Sequence, residues 1–406
     1  MKQFGLLGHP LNHSLSPALH AMLGEYPYAL FDIPPEKLES FLREADFRGL
    51  NVTRPYKKTV IPYLSNLTPL AARLGSVNTI LKQEDGTLSG DNTDYEGFLY
   101  LLSQLPLSPK GEKALILGSG GAALCLKAAL EDSGALPFMI SRRGENHYQN
   151  LDRHRDAGIL VNTTPLGQLP YQHEKPLSLE AFPALKAVID INYNPLRSPL
   201  LLEAAERKLP ALNGLLMLAA QGLKSSNLWG VCSRQEDALP SLVHTLEKQR
   251  ENLVLIGMPG CGKSTLARLL GKHLKRPVYD TDILLEEELG ISIPVFLVTE
   301  GEAAFRKAES ALLGRLSSLS GSIIACGGGV ICRRENYAYL KQNGRILWIQ
   351  RRLEDLSVEK RPLSAARPLA DLYEERKAAY ACFADHIIPP QPSPEESLKR
   401  IIEVIL

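Results

Sequence analysis

Short, unbroken apolar runs recur along the chain: FGLLG at 4–8, ALILG at 114–118, LPFMI at 136–140, ILVN at 159–162, AVIDI at 187–191, LVLIG at 253–257, SIIAC at 322–326 and ILWIQ at 346–350. None alternates with polar residues, so each predicts a strand covered on both faces, as in a parallel sheet flanked by helices. Segments of helical spacing such as ALCLKAAL and LARLLGKHL lie between many of them. Strand and helix in alternation predict α/β layers.

Two breaks divide this pattern. The stretch Ser233–Asn252, SRQEDALPSLVHTLEKQREN, is polar and charged and stands directly before a new strand, which predicts an exposed, partly helical linker over 233–251. A weaker change at Leu105–Gly111, LPLSPKG, precedes the ALILG strand. These breaks predict globular pieces over 1–104, 105–212 and 252–406, with 213–232 returning to complete the first. A length of 406 residues accommodates them at roughly 150 residues per domain.

Composition narrows the function classes. The net charge of +1, from 46 Lys and Arg against 45 Asp and Glu, argues against a polyanion-wrapping surface, so no nucleic-acid partner is expected. With 44% hydrophobic and 22% charged residues the chain is neither disordered nor fibrous. The six cysteines, at 125, 232, 261, 326, 332 and 382, include no CxxC pair and read as reduced thiols of a cytoplasmic protein. FGLLG is cut off by HPLNH and is too short for a signal-peptide core. The longest apolar stretch, Leu212–Leu223, contains Gly214 and Gln221 and falls below the ~20 residues of a membrane helix, so no membrane partner is expected.

Two glycine loops carry chemistry. GMPGCGKST at Gly257–Thr265 follows LVLIG, opens LARLLGKHL and fits G-x-x-x-x-G-K-[ST], a P-loop. Backbone N–H groups of Gly260, Cys261, Gly262 and the following residues can curl around phosphate oxygens, while the helix N-terminus adds partial positive charge. Lys263 is placed to reach the β- and γ-phosphates and Ser264 to ligate Mg2+, with Thr265 beside it. The second loop, Gly118-Ser119-Gly120-Gly121-Ala122-Ala123, joins KALIL to ALCLKAAL and fits G-x-G-x-x-[G/A], the turn that lets backbone approach a pyrophosphate. The next strand ends at Ser141-Arg142-Arg143, and Arg142 lies 22 residues past Gly120, near the ~20 of the ribose-reading position. An acidic residue there suits NAD. A guanidinium fork suits a 2′-phosphate, so NADP(H) is predicted, with two solvated arginines at a strand end as the competing reading.

HSLSP at 13–17, NVTRPYK at 51–57, GSVNT at 75–79, GDNTD at 90–94, GSGGA at 118–122, NTTPLG at 162–167, INYNP at 191–195 and NGLLMLAAQG at 213–222 follow one another in order. Together they resemble shikimate dehydrogenase over the first 230 residues. The resemblance implies an α/β substrate domain over 1–104, completed by 213–232, and a Rossmann-like NADP-binding domain over 105–212. It implies that Lys57 is the proton donor, held by Asp94, and that Ser14 and Ser16 bind the substrate carboxylate. Thr53, Asn78, Tyr193 and Gln221 fall on ring-contacting positions, Ile191 and Gly214 on positions beside the nicotinamide. Gly118, Ser119, Gly120, Gly121 and Ala122 would hold the pyrophosphate, and Ser141, Arg142 and Arg143 the ribose phosphate. Without the family, Lys57 beside Lys58 reads as a surface lysine, Asp94 as a turn residue and Ser16 as a helix cap ahead of Pro17. The chain departs from the family pattern with Ser119 for Ala, Ser141-Arg142-Arg143 for Asn-Arg-Thr and Ala21 after His20. Only 21 residues separate Ser141 from Asn162, where the family fits a further helix and strand, so the Rossmann domain is expected to be trimmed.

Beyond the P-loop come Asp280-Thr281-Asp282, GEAAFRKAE at 301–309, Gly327–Gly329, RPL at 361–363 and ERKAAY at 375–380. This set resembles shikimate kinase and implies a P-loop, nucleoside-monophosphate-kinase-like α/β domain over 252–406. Asp282 would take the proton of the attacking hydroxyl, Asp280 would assist Mg2+, and Arg306 and Arg376 would clamp the substrate carboxylate. Gly328 would lie against the ring, and Arg361 would close over ATP as a lid arginine, with Arg367 in a second RPL as the rival register.

The expected protein is therefore a bifunctional enzyme of aromatic amino-acid biosynthesis. It would reduce 3-dehydroshikimate to shikimate with NADPH and phosphorylate shikimate with MgATP. The rival expectation is an active kinase fused to a dehydrogenase-like module that has lost hydride transfer. Quinate is left open as a secondary substrate.

Overall fold

The protein is described by a computed structural model over residues 3–11, 14–356 and 368–405. It forms two compact units, Met1–Tyr193 with Leu200–Leu246, and Asn194–Pro199 with Glu247–Leu406.

The first unit holds two sheets. Six strands, β1 (Gln3–Gly8), β2 (Tyr28–Asp32), β3 (Phe47–Val52), β4 (Asn66–Leu67), β5 (Thr79–Lys82) and β6 (Leu88–Asp91), pair in the order β2-β1-β3-β5-β6-β4. β1 lies parallel between β2 and β3, and β5 runs antiparallel to β3 and β6. Of these, only β1 shows as an apolar run. β3, β5 and β6 carry the polar residues Asn51, Thr79 and Asp91, which stand in one row across the sheet because Asn51 pairs with Thr79 and Thr79 with Asp91.

The second sheet is wholly parallel, with β7 (Lys113–Leu117), β8 (Leu136–Ile140), β9 (Ile159–Asn162), β10 (Ala187–Asp190) and β11 (Ala211–Asn213) in the order β11-β10-β9-β7-β8. Its central strands are buried on both faces: Ile116, Val161 and Ile189 fill one core, Leu115, Leu160 and Val188 the other. β8 is the edge strand, and 141–158 holds only a 3-10 turn at Tyr148–His154 before β9 returns beside β7. Among the described residues no further strand lies between β8 and β9, in keeping with the short 141–162 spacing, and the glycine turn after β7 leads straight into a helix.

The helix Leu215–Leu228 packs on Thr93–Ser103, and the chain after residue 213 rejoins the first sheet. Close approach explains two glycines there. A Cβ at Gly97 would lie 2.8 Å from the Met217 carbonyl, and one at Gly49 would lie 2.5 Å from Nε1 of Trp229, which itself donates to the Ile80 carbonyl at 3.1 Å.

The second unit contains one parallel sheet, β12 (Asn252–Ile256), β13 (Val278–Asp280), β14 (Ile323–Ala325), β15 (Gly344–Ile349) and β16 (His386–Ile388), in the order β13-β14-β12-β15-β16. β12 is central and fully buried, which places the glycine loop after it at the carboxyl edge, where open α/β sheets bind ligands. The stretch read as an exposed linker is mostly a helix, Leu239–Arg250, with Leu239, Leu242 and Leu246 buried. Their spacing of three and four residues makes a stripe that the surrounding charges obscure. Among the described residues no helix is long and apolar enough to cross a membrane.

Candidate functional site

In the first unit the row of polar strand residues meets the start of Thr93–Ser103. Asn78, just before β5, accepts from the Thr93 backbone N–H at 2.6 Å through Oδ1 and donates through Nδ2 to Asp94 Oδ1 at 2.8 Å and Gln221 Oε1 at 3.5 Å. The other Asp94 oxygen accepts from Lys57 Nζ. Both oxygens of Asp94 are therefore engaged, and the Lys57 ammonium keeps further N–H donors for an incoming oxygen atom. The structure brings Lys57, Asp94, Asn78 and Gln221 into one network.

Ser14 and Ser16 meet at the first turn of the helix Ser16–Leu23, where Ser14 Oγ accepts from the Ser16 backbone N–H at 3.1 Å. The backbone donor is capped by Ser14, so the competing reading of Ser16 as the helix cap is corrected. Thr53 lies against Gly8, whose Cβ would come 2.5 Å from Thr53 Cγ2. Tyr193 faces Tyr28.

The Gly118 loop leads from β7 into the helix Gly121–Asp132. Gly118 has φ +120°, a left-handed backbone that glycine adopts without strain, and a Cβ there would meet Thr163 Oγ1 at 2.4 Å. Nothing lies within 4 Å of where a Gly120 Cβ would be, which leaves the N-terminus of the helix open for a pyrophosphate. Ser119, Gly121 and Ala122 complete that turn. Arg142 and Arg143 are exposed after β8, and the Ser141 hydroxyl is bonded to the Arg143 carbonyl. A Cβ at Gly214 would stand 1.8 Å from the Ile191 carbonyl, so these two positions are packed together.

In the second unit the P-loop turns at Gly257, Gly260 and Gly262, with φ of +146°, +84° and +93°. Lys263 is buried and donates to the Gly257 and Met258 carbonyls at 2.9 and 3.0 Å, while Ser264 and Thr265 are exposed at the helix start and Cys261 is buried beneath them. A Cβ at Gly328 would lie 2.7 Å from Pro259 Cδ, so the triple-glycine loop abuts the P-loop. Around it, Arg306 Nη1 donates to Glu309 Oε2 at 2.9 Å, Arg376 Nη1 donates to the Gly328 carbonyl at 3.3 Å, and Gly327 packs against the Asp282 and Glu309 carboxylates. Glu309 Oε1 and Arg376 Nε are buried without a protein partner, as expected of groups that await a polar ligand. Burial pushes the Glu309 carboxyl up, opposed by the Arg306 guanidinium. Burial likewise raises the Cys326 thiol, with the Glu309, Asp282 and Asp280 carboxylates adding to the rise and the Lys263 ammonium opposing it. The Asp280 carboxylate accepts from the Asp282 backbone N–H at 3.1 Å. Arg361 and Arg367 lie outside the described residues, and so does His13.

A model of the shikimate dehydrogenase substrate-binding domain matches residues 6–80, and a shikimate kinase model matches 259–406. The shikimate dehydrogenase (NADP(+)) of Moorella thermoacetica is 38% identical over 255 residues, 55% of this chain and 86% of that protein. The chain belongs to the shikimate dehydrogenase family. A shikimate kinase domain is fused behind it. A shikimate dehydrogenase (NADP(+)) of Thermus thermophilus is 40% identical over 246 residues, 56% of this chain and 92% of that one. Among solved structures, a chorismate mutase/shikimate 5-dehydrogenase fusion from Clostridium acetobutylicum superposes with TM-score 0.57 at 32% identity, over 61% of this chain and 97% of that one. A Thermus thermophilus shikimate 5-dehydrogenase in complex with NADP(H) and shikimate gives TM-score 0.55 at 35% identity, over 60% and 99%.

Several residues of the dehydrogenase and kinase sites escaped the sequence reading. Asn51, Thr79 and Thr93 sit inside quoted motifs, and only the sheet register shows that they buttress Asn78: Asn51 Nδ2 reaches Thr79 Oγ1 at 3.5 Å, and Thr79 Oγ1 donates to Asn78 Oδ1 at 3.0 Å. Glu309 follows Arg306 by three residues on one helix, a spacing that brings side chains together and was available as a signal.

Proposed function

We propose that the chain catalyses two consecutive reactions, NADPH-dependent reduction of 3-dehydroshikimate to shikimate and MgATP-dependent phosphorylation of shikimate to shikimate 3-phosphate. The observation that carries the first is the Lys57–Asp94–Asn78–Gln221 network in a family dehydrogenase.

Bound NADPH supplies the hydride. Its fit is supported by the open Gly120 turn, by the Gly214–Ile191 contact, and by the exposed Arg142, which suits a 2′-phosphate. As negative charge grows on the substrate carbonyl oxygen, Lys57 gives that oxygen a proton from Nζ, and Asp94 holds the ammonium in place beforehand. Asn78, itself bonded to Gln221, fixes Asp94, and the two amides face the ring hydroxyls, with Thr53 and Tyr193 as further neutral partners. Ser14 and Ser16 take the carboxylate.

In the kinase domain, Lys263 exchanges its loop carbonyls for the phosphates of ATP, and Asp282 accepts the proton of the attacking hydroxyl. Arg306, oriented by Glu309, and Arg376 pair with the shikimate carboxylate beside Gly328. The oxygen donors Ser264 and Asp280 suit Mg2+ held jointly with the nucleotide and water, where it would neutralise phosphate charge. Arg361 is assigned the lid role on its RPL motif. The rival module without hydride transfer rested on the short 141–162 segment, yet β7, β9, β10 and the glycine turn remain in place around it. Six free thiols, with Cys332 and Cys382 exposed, support a cytoplasmic setting.

The test follows NADPH absorbance with 3-dehydroshikimate and then assays shikimate 3-phosphate after MgATP. Lys57→Ala should abolish reduction and still phosphorylate supplied shikimate, whereas Lys263→Ala should accumulate shikimate. No NADPH oxidation by the folded wild-type chain would refute the two-reaction reading.

A further inference from the structure

The helix Gly121–Asp132 starts at the turn read as the pyrophosphate site and ends in a carboxylate that two other helices hold. Arg73, in the last turn of Pro69–Leu74, donates from Nη1 to Asp132 Oδ2 at 2.7 Å and from Nη2 to Oδ1 at 2.9 Å. Tyr95, which directly follows Asp94 on Thr93–Ser103, donates its O–H to Asp132 Oδ2 at 2.5 Å. None of the three lies in a motif that carries the dehydrogenase reading. Asp132 closes its helix at the end where aligned peptide dipoles disfavour an anion, so the helix itself does not explain the acid. Its partners do: Arg73 first and then Tyr95 pull the carboxyl down to about 2, and the fork of Arg73 meets both oxygens.

Between those ends, Ala123, Cys125, Leu126 and Ala129 share a core with Leu74, Phe98 and Leu101, so apolar contact brings the cofactor helix against the helices of the substrate side. Burial is non-directional and leaves the register along the helix loosely set, whereas a bidentate pair is directional. We propose that Arg73, Asp132 and Tyr95 are positioning residues of the dehydrogenase, a clasp that sets the register of the cofactor helix against the helix carrying Asp94; the proposal rests on the reading of the Gly118 turn and of Lys57 with Asp94 as cofactor and proton-donor sites. Twelve residues of helix make a stiff rod of about 18 Å, so a shift at Asp132 is carried to Gly121 and to the nicotinamide held beyond it. Hydride transfer is steep in distance, because a misplacement on the order of 1 Å costs up to about a hundred-fold. NADPH moves with its own helix and 3-dehydroshikimate stays with Lys57 and Asn78, so each keeps its binding contacts. The effect is expected in kcat, with both KM values nearly kept.

The clasp favours the productive register by the worth of a bidentate surface pair, about a five-fold factor. Asp132→Asn keeps the shape and deletes the charge, and Arg73→Gln deletes the fork from the other side. Each should lower kcat for 3-dehydroshikimate reduction about five-fold with KM for either substrate little changed, followed by NADPH absorbance, and the double substitution should fall no further than either single one. An unchanged kcat in both variants, a loss that multiplies in the double variant, or a rise in KM with kcat kept would overturn the proposal. So would a lowered urea midpoint with kcat intact, the mark of a merely structural pair. In each of these cases the wild-type chain still oxidises NADPH, and the two-reaction reading stands. A folded wild-type chain that oxidises no NADPH would overturn the clasp together with that reading.

Discussion

His20 makes the first unit sensitive to acid in a way that can be measured at one residue. Its ring is fully buried, stacked on Tyr28 and lying 5.6 Å from the Trp229 ring, and burial lowers its pKa from 6.5 to about 3. The folded state therefore keeps the imidazole neutral over a range in which the unfolded chain binds a proton. Stability from this source is complete above the unfolded pKa of 6.5 and is lost as pH falls toward the folded value of about 3. Linkage between those two values gives a loss of about 2 kcal/mol on going from pH 7 to pH 5. The chain has two tryptophans, and Trp229 sits in this cluster while Trp348 belongs to the second unit, so urea denaturation of a Trp348→Phe chain followed by fluorescence reports on the first unit. His20→Phe on that background preserves a stacked ring and removes the titration. The wild-type His20 chain should lose about 2 kcal/mol more than His20→Phe over this interval. Equal losses in the two chains would show that His20 titrates normally and that its burial is not what the packing indicates.

Three further outcomes test the sites. Gly214→Ala places a Cβ 1.8 Å from the Ile191 carbonyl, so backbone must move; we expect a loss of about 3 kcal/mol by urea denaturation and weakened NADPH binding by fluorescence titration. Glu309→Gln removes the buried one of Arg306's two carboxylate partners and leaves it only the exposed Glu302, and KM for shikimate should rise about tenfold with KM for ATP unchanged in a coupled kinase assay. Arg142→Gln should raise KM for NADPH about tenfold and barely affect NADH, because only the former carries the phosphate that a guanidinium pairs with; equal effects on both coenzymes would remove Arg142 from the cofactor site.

What could be read along the chain was what is encoded within a few consecutive residues. The buried strands of the two parallel sheets appear as apolar runs because both faces are covered, and the glycine loops appear because left-handed turns at Gly118, Gly260 and Gly262 and an open helix N-terminus are requirements of adjacent residues. The mixed sheet was legible only at β1, since β3, β5 and β6 carry the polar residues Asn51, Thr79 and Asp91. The helix at Leu239–Arg250 was half visible, its leucine stripe diluted by charge.

By itself the sequence located the central buried strands of the parallel sheets and both glycine loops, and offered Lys57, Asp94, Lys263 and Arg306 as candidate site residues. The tertiary structure alone decided which side chains support them. Ser226 reaches His20 across 206 positions and Gln221 reaches Asn78 across 143, and no local pattern can encode a partner so distant. The same holds for Tyr28, an ordinary strand tyrosine until packing lets its phenol donate to Asn51 Oδ1 at 2.8 Å and its ring stack on His20. Backbone conformation is written locally through sterics and burial, whereas the hydrogen-bond partners of a buried polar group are chosen only when distant segments pack together.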